Sequence, residues 1–108
     1  MDDVRGLYDH LGDYQVLDVR EPYEWDAGHI EGALHLPLAE VMAGRESEVL
    51  DKERPVVAVC RSGNRSELAR VMLQARGYQA HNLEGGMEAW ARTGLPFAAS
   101  DGGPGRVA

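Results

Sequence analysis

Apolar and polar residues change their spacing along this chain in a regular order, and the spacing predicts helices alternating with strands. Val4, Leu7, Tyr8 and Leu11 fall on one face of a short helix, which Gly12 would close. "YQVLDV" (Tyr14–Val19) is apolar at Val16, Leu17 and Val19 and reads as a strand. "EPYEWDAGHIEGA" follows as a turn or short helix, opened by Pro22 and stopped by Gly28. "ALHLPL" is a second, short strand that Pro37 ends. "LAEVMAGRESEVLDKER" is helical in two pieces broken near Gly44, with Glu46 and Glu48 expected on a solvated face. Lys52-Glu53-Arg54-Pro55 forms a charged turn before "VVAV", a continuous apolar run of the kind covered on both faces.

From Ser66 the period lengthens. Leu68, Val71, Met72 and Ala75 form an apolar stripe with Glu67, Arg70 and Gln74 opposite, and Gly77 is placed to cap the helix. "YQAHNL" is another strand. "EGGMEAWARTG" gives a tight turn at Gly85-Gly86 and a short helix that Gly94 closes. Trp25 and Trp90 are read as core or groove-lining aromatics. Past Phe97, "AASDGGPGRVA" holds too little apolar surface to pack, so residues 98–108 are expected as a flexible tail behind a domain spanning 1–97. Strand and helix alternate throughout without internal repeats, which predicts an α/β fold with a central, mainly parallel sheet flanked by helices.

Composition narrows the function. A chain of 108 residues with 44% apolar content makes one domain that buries roughly two-thirds of its unfolded surface. A net charge of −7 argues against nucleic acid or an anionic membrane as partner, since both demand a positive footprint. One cysteine makes neither an internal disulfide nor a multi-cysteine zinc site. His10, His29, His35 and His81 lack metal-ligand spacing, so no metal and no cofactor are expected; His29 is read as fixing a turn through a backbone hydrogen bond. A lone thiol suits a reducing compartment. The acidic start, MDDVRGLYDHLG, lacks the basic and apolar regions of a signal peptide, and no apolar stretch approaches the ~20 residues of a membrane helix. The expected location is the cytoplasm.

The candidate chemistry lies at that single thiol. Cys60 follows the buried strand directly, and Arg61, Ser62, Gly63, Asn64, Arg65 and Ser66 lead from it into a helix. In parallel α/β sheets ligands sit beyond the carboxyl ends of strands, where a loop turns into a helix. Inward loop amides, a helix N-terminus and two guanidinium groups all favour thiolate over thiol. Gly63 lets such a loop curl into a cradle. A merely structural cysteine would have apolar neighbours on both sides, whereas this one precedes Arg-Ser-Gly-Asn-Arg-Ser. The phosphate-loop pattern G-x-x-x-x-G-K-[ST] is absent. Asp18 and Arg20 flank Val19 with side chains on one side of the strand end, where an ion pair or hydrogen bonds would hold the strand-to-loop turn.

"CRSGNRS" after a buried strand resembles the active-site loop of rhodanese domains, the sulfurtransferases. "LDVREPYEWDAGHIEGALHLP" (Leu17–Pro37) is similar to that family's D-x-R segment followed by G-H-I-x-G-A, and "LEGGMEAWARTGLP" (Leu83–Pro96) to its closing G-G-x-x-x-W motif. Three ordered segments match over Val4 to Phe97. The resemblance implies a parallel sheet flanked by helices, and Cys60 as a nucleophile that takes sulfur from thiosulfate or a related persulfide donor and passes it to cyanide or a thiol. It implies that Arg61 and Arg65 recruit the anionic donor, that Arg20 braces the loop, and that a sulfur-accepting protein or a fused domain belongs among the partners. Two rivals remain: a non-catalytic docking module, which has no need of the thiol, and a cysteine phosphatase or arsenate reductase. The latter use Cys-x5-Arg, whereas Arg65 follows Cys60 after four residues.

Overall fold

The apolar runs become four short strands: β1 (Gln15–Asp18), β2 (Leu34–His35), β3 (Val56–Val59) and β4 (Ala80–Asn82). They pair in the order β2-β1-β3-β4, and every pairing is parallel. Helix α1 (Val4–Asp9) precedes them, α2 (Pro22–Ala27), α3 (Leu38–Met42) and α4 (Asn64–Ala75) lie in the connections between them, and α5 (Gly86–Arg92) follows. The structure is a computed structural model and describes residues 3–108; Met1 and Asp2 of the acidic start lie outside it.

Alternation along the strands divides the core into two layers. Leu17, Val19, Val56, Ala58 and Cys60 pack with Val41 of α3 and with Ala69 and Leu73 of α4. Val16, Val57 and Val59 point the other way, onto Val4 and Leu7 of α1 and Met87 and Trp90 of α5. The expected α/β architecture therefore stands, with helices on both faces of a parallel sheet. β1 has β2 on one side and β3 on the other, so the chain reverses its direction of winding between β1 and β3. The crevice at their carboxyl ends is where such sheets bind ligands, and Val19 still donates to the Val59 carbonyl there, at 2.9 Å.

Capping follows the local sequence. Pro22 opens α2 behind a capping box between Glu21 and Glu24. α4 ends with Tyr78 N–H on the Leu73 carbonyl and Gly77 N–H on that of Gln74, and α5 ends likewise with Leu95 on Trp90 and Gly94 on Ala91. Trp90 is fully buried and donates to the Pro96 carbonyl, while Trp25 stacks between His29 and His35. Among the described residues no helix is long and apolar enough to cross a membrane.

Four expectations need correction. The first helix stops at Asp9, and Gly12 sits within a following 3-10 turn, Leu11–Asp13. On α4 the sheet-facing residues are Ser66, Ala69 and Leu73, while Leu68 and Val71 are about half exposed. Glu46 is buried, because Arg76 reaches across from the end of α4 to pair with it at 2.7 Å. The segment 98–108 is laid down against the body rather than left unpacked. Ala98 bridges His29, Ser100 N–H bonds the Asp26 carbonyl, Arg106 N–H bonds that of Ala27, and Val107 joins the α1/α5 core layer. Phe97 anchors it: the ring lies so close to Gly28 and Gly105 that neither position has room for a side chain.

Candidate active site

Cys60 is the first residue past β3, and the residue is 1% exposed. Its loop is pinned from outside. The amides of Met87 and Glu88, at the start of α5, donate to the Cys60 and Arg61 carbonyls at 2.9 and 3.0 Å. Gly86 makes that approach possible: its φ is 55°, and a Cβ there would run into the Cys60 carbonyl oxygen. With those carbonyls turned outward, the amides that follow face in. Gly63, at φ 107°, then turns the chain into α4.

Three donors converge on the sulfur. Gly63 N–H lies 3.1 Å from Sγ, Ser66 N–H 3.4 Å and the Ser66 hydroxyl 3.2 Å. Burial is the largest single influence on the thiol and pushes its pKa up. The Ser66 hydroxyl and the amides of Ser66, Gly63 and Ser62 act against burial and together outweigh it, so Cys60 is held below the ordinary thiol value. The sulfur sits inside a ring of donors that favour its anionic form over the thiol.

The two arginines are not free charges aimed at the loop. Arg65 forms a two-pronged ion pair with Glu24 of α2, at 2.7 and 2.9 Å. Hydrogen bonding from Arg65 is the first cause that draws the Glu24 carboxyl below its usual range, burial opposing it, and the same bond raises Arg65 still further above its own. Arg61 reaches solvent and pairs with Glu88 at 3.2 Å. Asp18 and Arg20 choose each other: the fully buried guanidinium donates to both carboxylate oxygens at 2.7–3.1 Å and to the Gly28 carbonyl at 2.7 Å. That pair fixes the carboxyl end of β1 beside the loop, while no hydrogen bond links Arg20 to the loop itself among the described residues. His29 does hold a turn, through Nδ1 and the Trp25 carbonyl at 2.9 Å.

Sequence reasoning missed Glu24, Glu88 and Asn82. Nothing local marks Glu24 as a partner of a residue 41 positions away. Asn82 had one usable signal, a polar residue at the carboxyl end of a strand. Its amide nitrogen donates to the Gly63 carbonyl at 3.1 Å, and its Oδ1 lies 2.5 Å from the Ser66 hydroxyl.

Comparison with known proteins agrees with this geometry. The family model for the rhodanese-like domain matches residues 3–93. The chain belongs to the rhodanese-like family. A curated relative named "Sulfurtransferase", from Allochromatium vinosum, is 45% identical over 104 residues, covering 93% of this chain and 95% of that protein. The probable adenylyltransferase/sulfurtransferase MoeZ of Mycobacterium tuberculosis is 37% identical over 82 residues, which are 75% of this chain but 21% of that much longer protein. Among solved structures, a rhodanese-related protein from Thermoplasma volcanium superposes with a TM-score of 0.83 at 31% identity, covering 89% of this chain and 94% of its own. Cys60 and its loop follow β3 at the sheet's switch point, between β1 and β3.

Proposed function

We propose that this protein is a sulfurtransferase that carries sulfur on Cys60. The observation that carries the reading is the convergence of Gly63 N–H, Ser66 N–H and the Ser66 hydroxyl on a single buried sulfur. A ring of donors of that size suits one sulfur atom. A phosphatase loop must instead surround a tetrahedral oxyanion with an arginine turned inward, and here Arg65 is committed to Glu24.

In the first half-reaction the Cys60 thiolate attacks the outer sulfur of thiosulfate. The sulfur–sulfur bond of the donor breaks, sulfite leaves with its electron pair, and a Cys60 persulfide remains. The loop Arg61–Ser66 supplies the amides that hold the anionic outer sulfur. In the second, cyanide or a thiolate attacks that sulfur, and the bonding pair returns to Cys60 as thiolate, a double displacement. Related persulfides are alternative donors of the same chemistry. Arg61, on the solvent side, recruits the donor; Arg65 braces α4 against α2, and Asp18 with Arg20 supports the strand end. The mycobacterial relative, named for two activities, supports a sulfur-accepting protein or a fused domain as acceptor. A reducing cytoplasm suits the unpaired thiol.

Intact-mass measurement after thiosulfate treatment tests the reading. One added sulfur is expected on the wild type, removed by cyanide, with none on Cys60→Ser. An unchanged wild-type mass under saturating thiosulfate would leave a docking module as the better account.

A further inference from the structure

The Ser66 hydroxyl has one proton and two acceptors. Its oxygen lies 3.2 Å from Cys60 Sγ and 2.5 Å from Asn82 Oδ1. The asparagine is not free to turn its other end to the serine. Its Nδ2 donates to the Gly63 carbonyl, which can only accept, so Oδ1 must face Ser66. We propose that Asn82 is a positioning residue that competes with Cys60 for the Ser66 proton and so sets the balance between thiol and thiolate.

Two states follow from the donor count. With Cys60 as a thiol, S–H donates to Ser66 Oγ and Ser66 donates to Asn82 Oδ1, so every group in the chain is satisfied. When the thiol proton leaves for solvent, the hydroxyl rotates to serve the sulfur anion. Asn82 Oδ1 then faces an oxygen lone pair at short range with no proton between them. Asn82 thus favours the thiol through Ser66, while its other hydrogen bond holds the Gly63 turn whose amide favours the thiolate. The charged neighbours are engaged elsewhere. Arg65 faces Cys60 from α4 but is tied to Glu24 of α2, Arg61 is tied to Glu88 of α5, and Asp18 is tied to Arg20 at the end of β1. Glu67 pairs with Arg70 on α4, and His81 of β4 packs edge-on against Tyr14.

This deepens the reading of Cys60 as the reacting thiol and rests on it only for the consequence to turnover. The test therefore reads the thiol alone, through the pH dependence of iodoacetamide alkylation in the wild type, Asn82→Ala, Ser66→Ala and the double variant. Because Asn82→Ala also frees the Gly63 turn, its effect is compared in the two serine backgrounds. With Ser66 present, the substitution should leave about threefold more thiolate below the midpoint than it does in the Ser66→Ala background, the scale of one redirected hydrogen bond. An equal shift in both backgrounds, or a shift toward thiol that is larger when Ser66 is present, would overturn the competition. Loss of sulfur loading with the alkylation difference intact would count against the sulfurtransferase reading and not against this one.

Discussion

At the scale of single residues, placement of charge decides more than its sum. Arg61 and Glu88 are both about half exposed, so water weakens their attraction and the pair is worth little to stability. Its effect on an approaching dianion is larger, since Glu88 cancels the charge that would recruit the donor. Glu88→Gln keeps the backbone hydrogen bond to the Arg61 carbonyl and removes only the countercharge. The expected outcome in steady-state thiosulfate–cyanide assays is a KM lowered about twofold to threefold at low salt, with kcat unchanged, the pattern of added uniform binding. The gain should vanish at high salt, where exposed charges are screened. An unaltered KM at low salt would remove Arg61 from donor recruitment. The cysteine, its loop and the turn into α4 were legible in "CRSGNRS", because thiol, turn glycine and helix start are adjacent in the chain. The carboxylates that complete the site were not, because ion pairs between distant parts of the chain leave no periodic trace.

At the scale of elements, α4 shows how a site can override a hydrophobic pattern. The stripe through Leu68, Val71 and Met72 predicts one buried face, yet the helix is rolled so that Ser66, Ala69 and Leu73 meet the sheet. Ser66 must reach Cys60, and positions three and seven further on come with it. The small Ala69 lets the helix lie close at that end. Arg65 then points along the flank to α2, where Glu24 is 3% exposed. Folding lowers the Glu24 pKa from an ordinary value of 4.5, so its stabilising contribution is complete above that value and is lost as pH falls through the lowered one. Glu24→Gln should therefore destabilise the protein near neutral pH, by about 1 kcal/mol once the partly exposed arginine end is discounted. The gap between the two proteins should narrow as pH falls below the ordinary carboxylate value and close only below the lowered Glu24 pKa. Denaturant unfolding at several pH values measures it. A gap that stays constant into acid would mean the pair contributes by packing and not by charge.

At the scale of the whole molecule, the chain closes on itself through a segment that composition alone marks as unpacked. Residues 98–108 contain four glycines or prolines in succession around Gly102 to Gly105, and only Val107 brings a large apolar group. What composition misses is that this stretch borrows its anchorage from elsewhere. Ser100 and Arg106 donate backbone amides to the Asp26 and Ala27 carbonyls at the end of α2, and the Ser100 hydroxyl bonds the Asp26 carboxylate at 3.0 Å. Those carbonyls belong to the last turn of a six-residue helix, too short to persist on its own. The strap thereby steadies the helix that holds Glu24, and Glu24 holds Arg65. Deleting residues 99–108 removes these bonds and the Val107 contact, and uncovers one side of Phe97. A loss of about 1 kcal/mol is expected, which in a domain of this size lowers Tm by about 4–8 °C. Amide exchange in α2 should quicken, while α4, held by the sheet, should keep its protection. Sulfur loading of Cys60 should survive, because the donors around Sγ come from the loop and α4. If Tm and exchange were both unchanged by the deletion, the strap would carry no stability, and α2 would owe its order to the Glu24–Arg65 pair, its capping box and the stacking of Trp25.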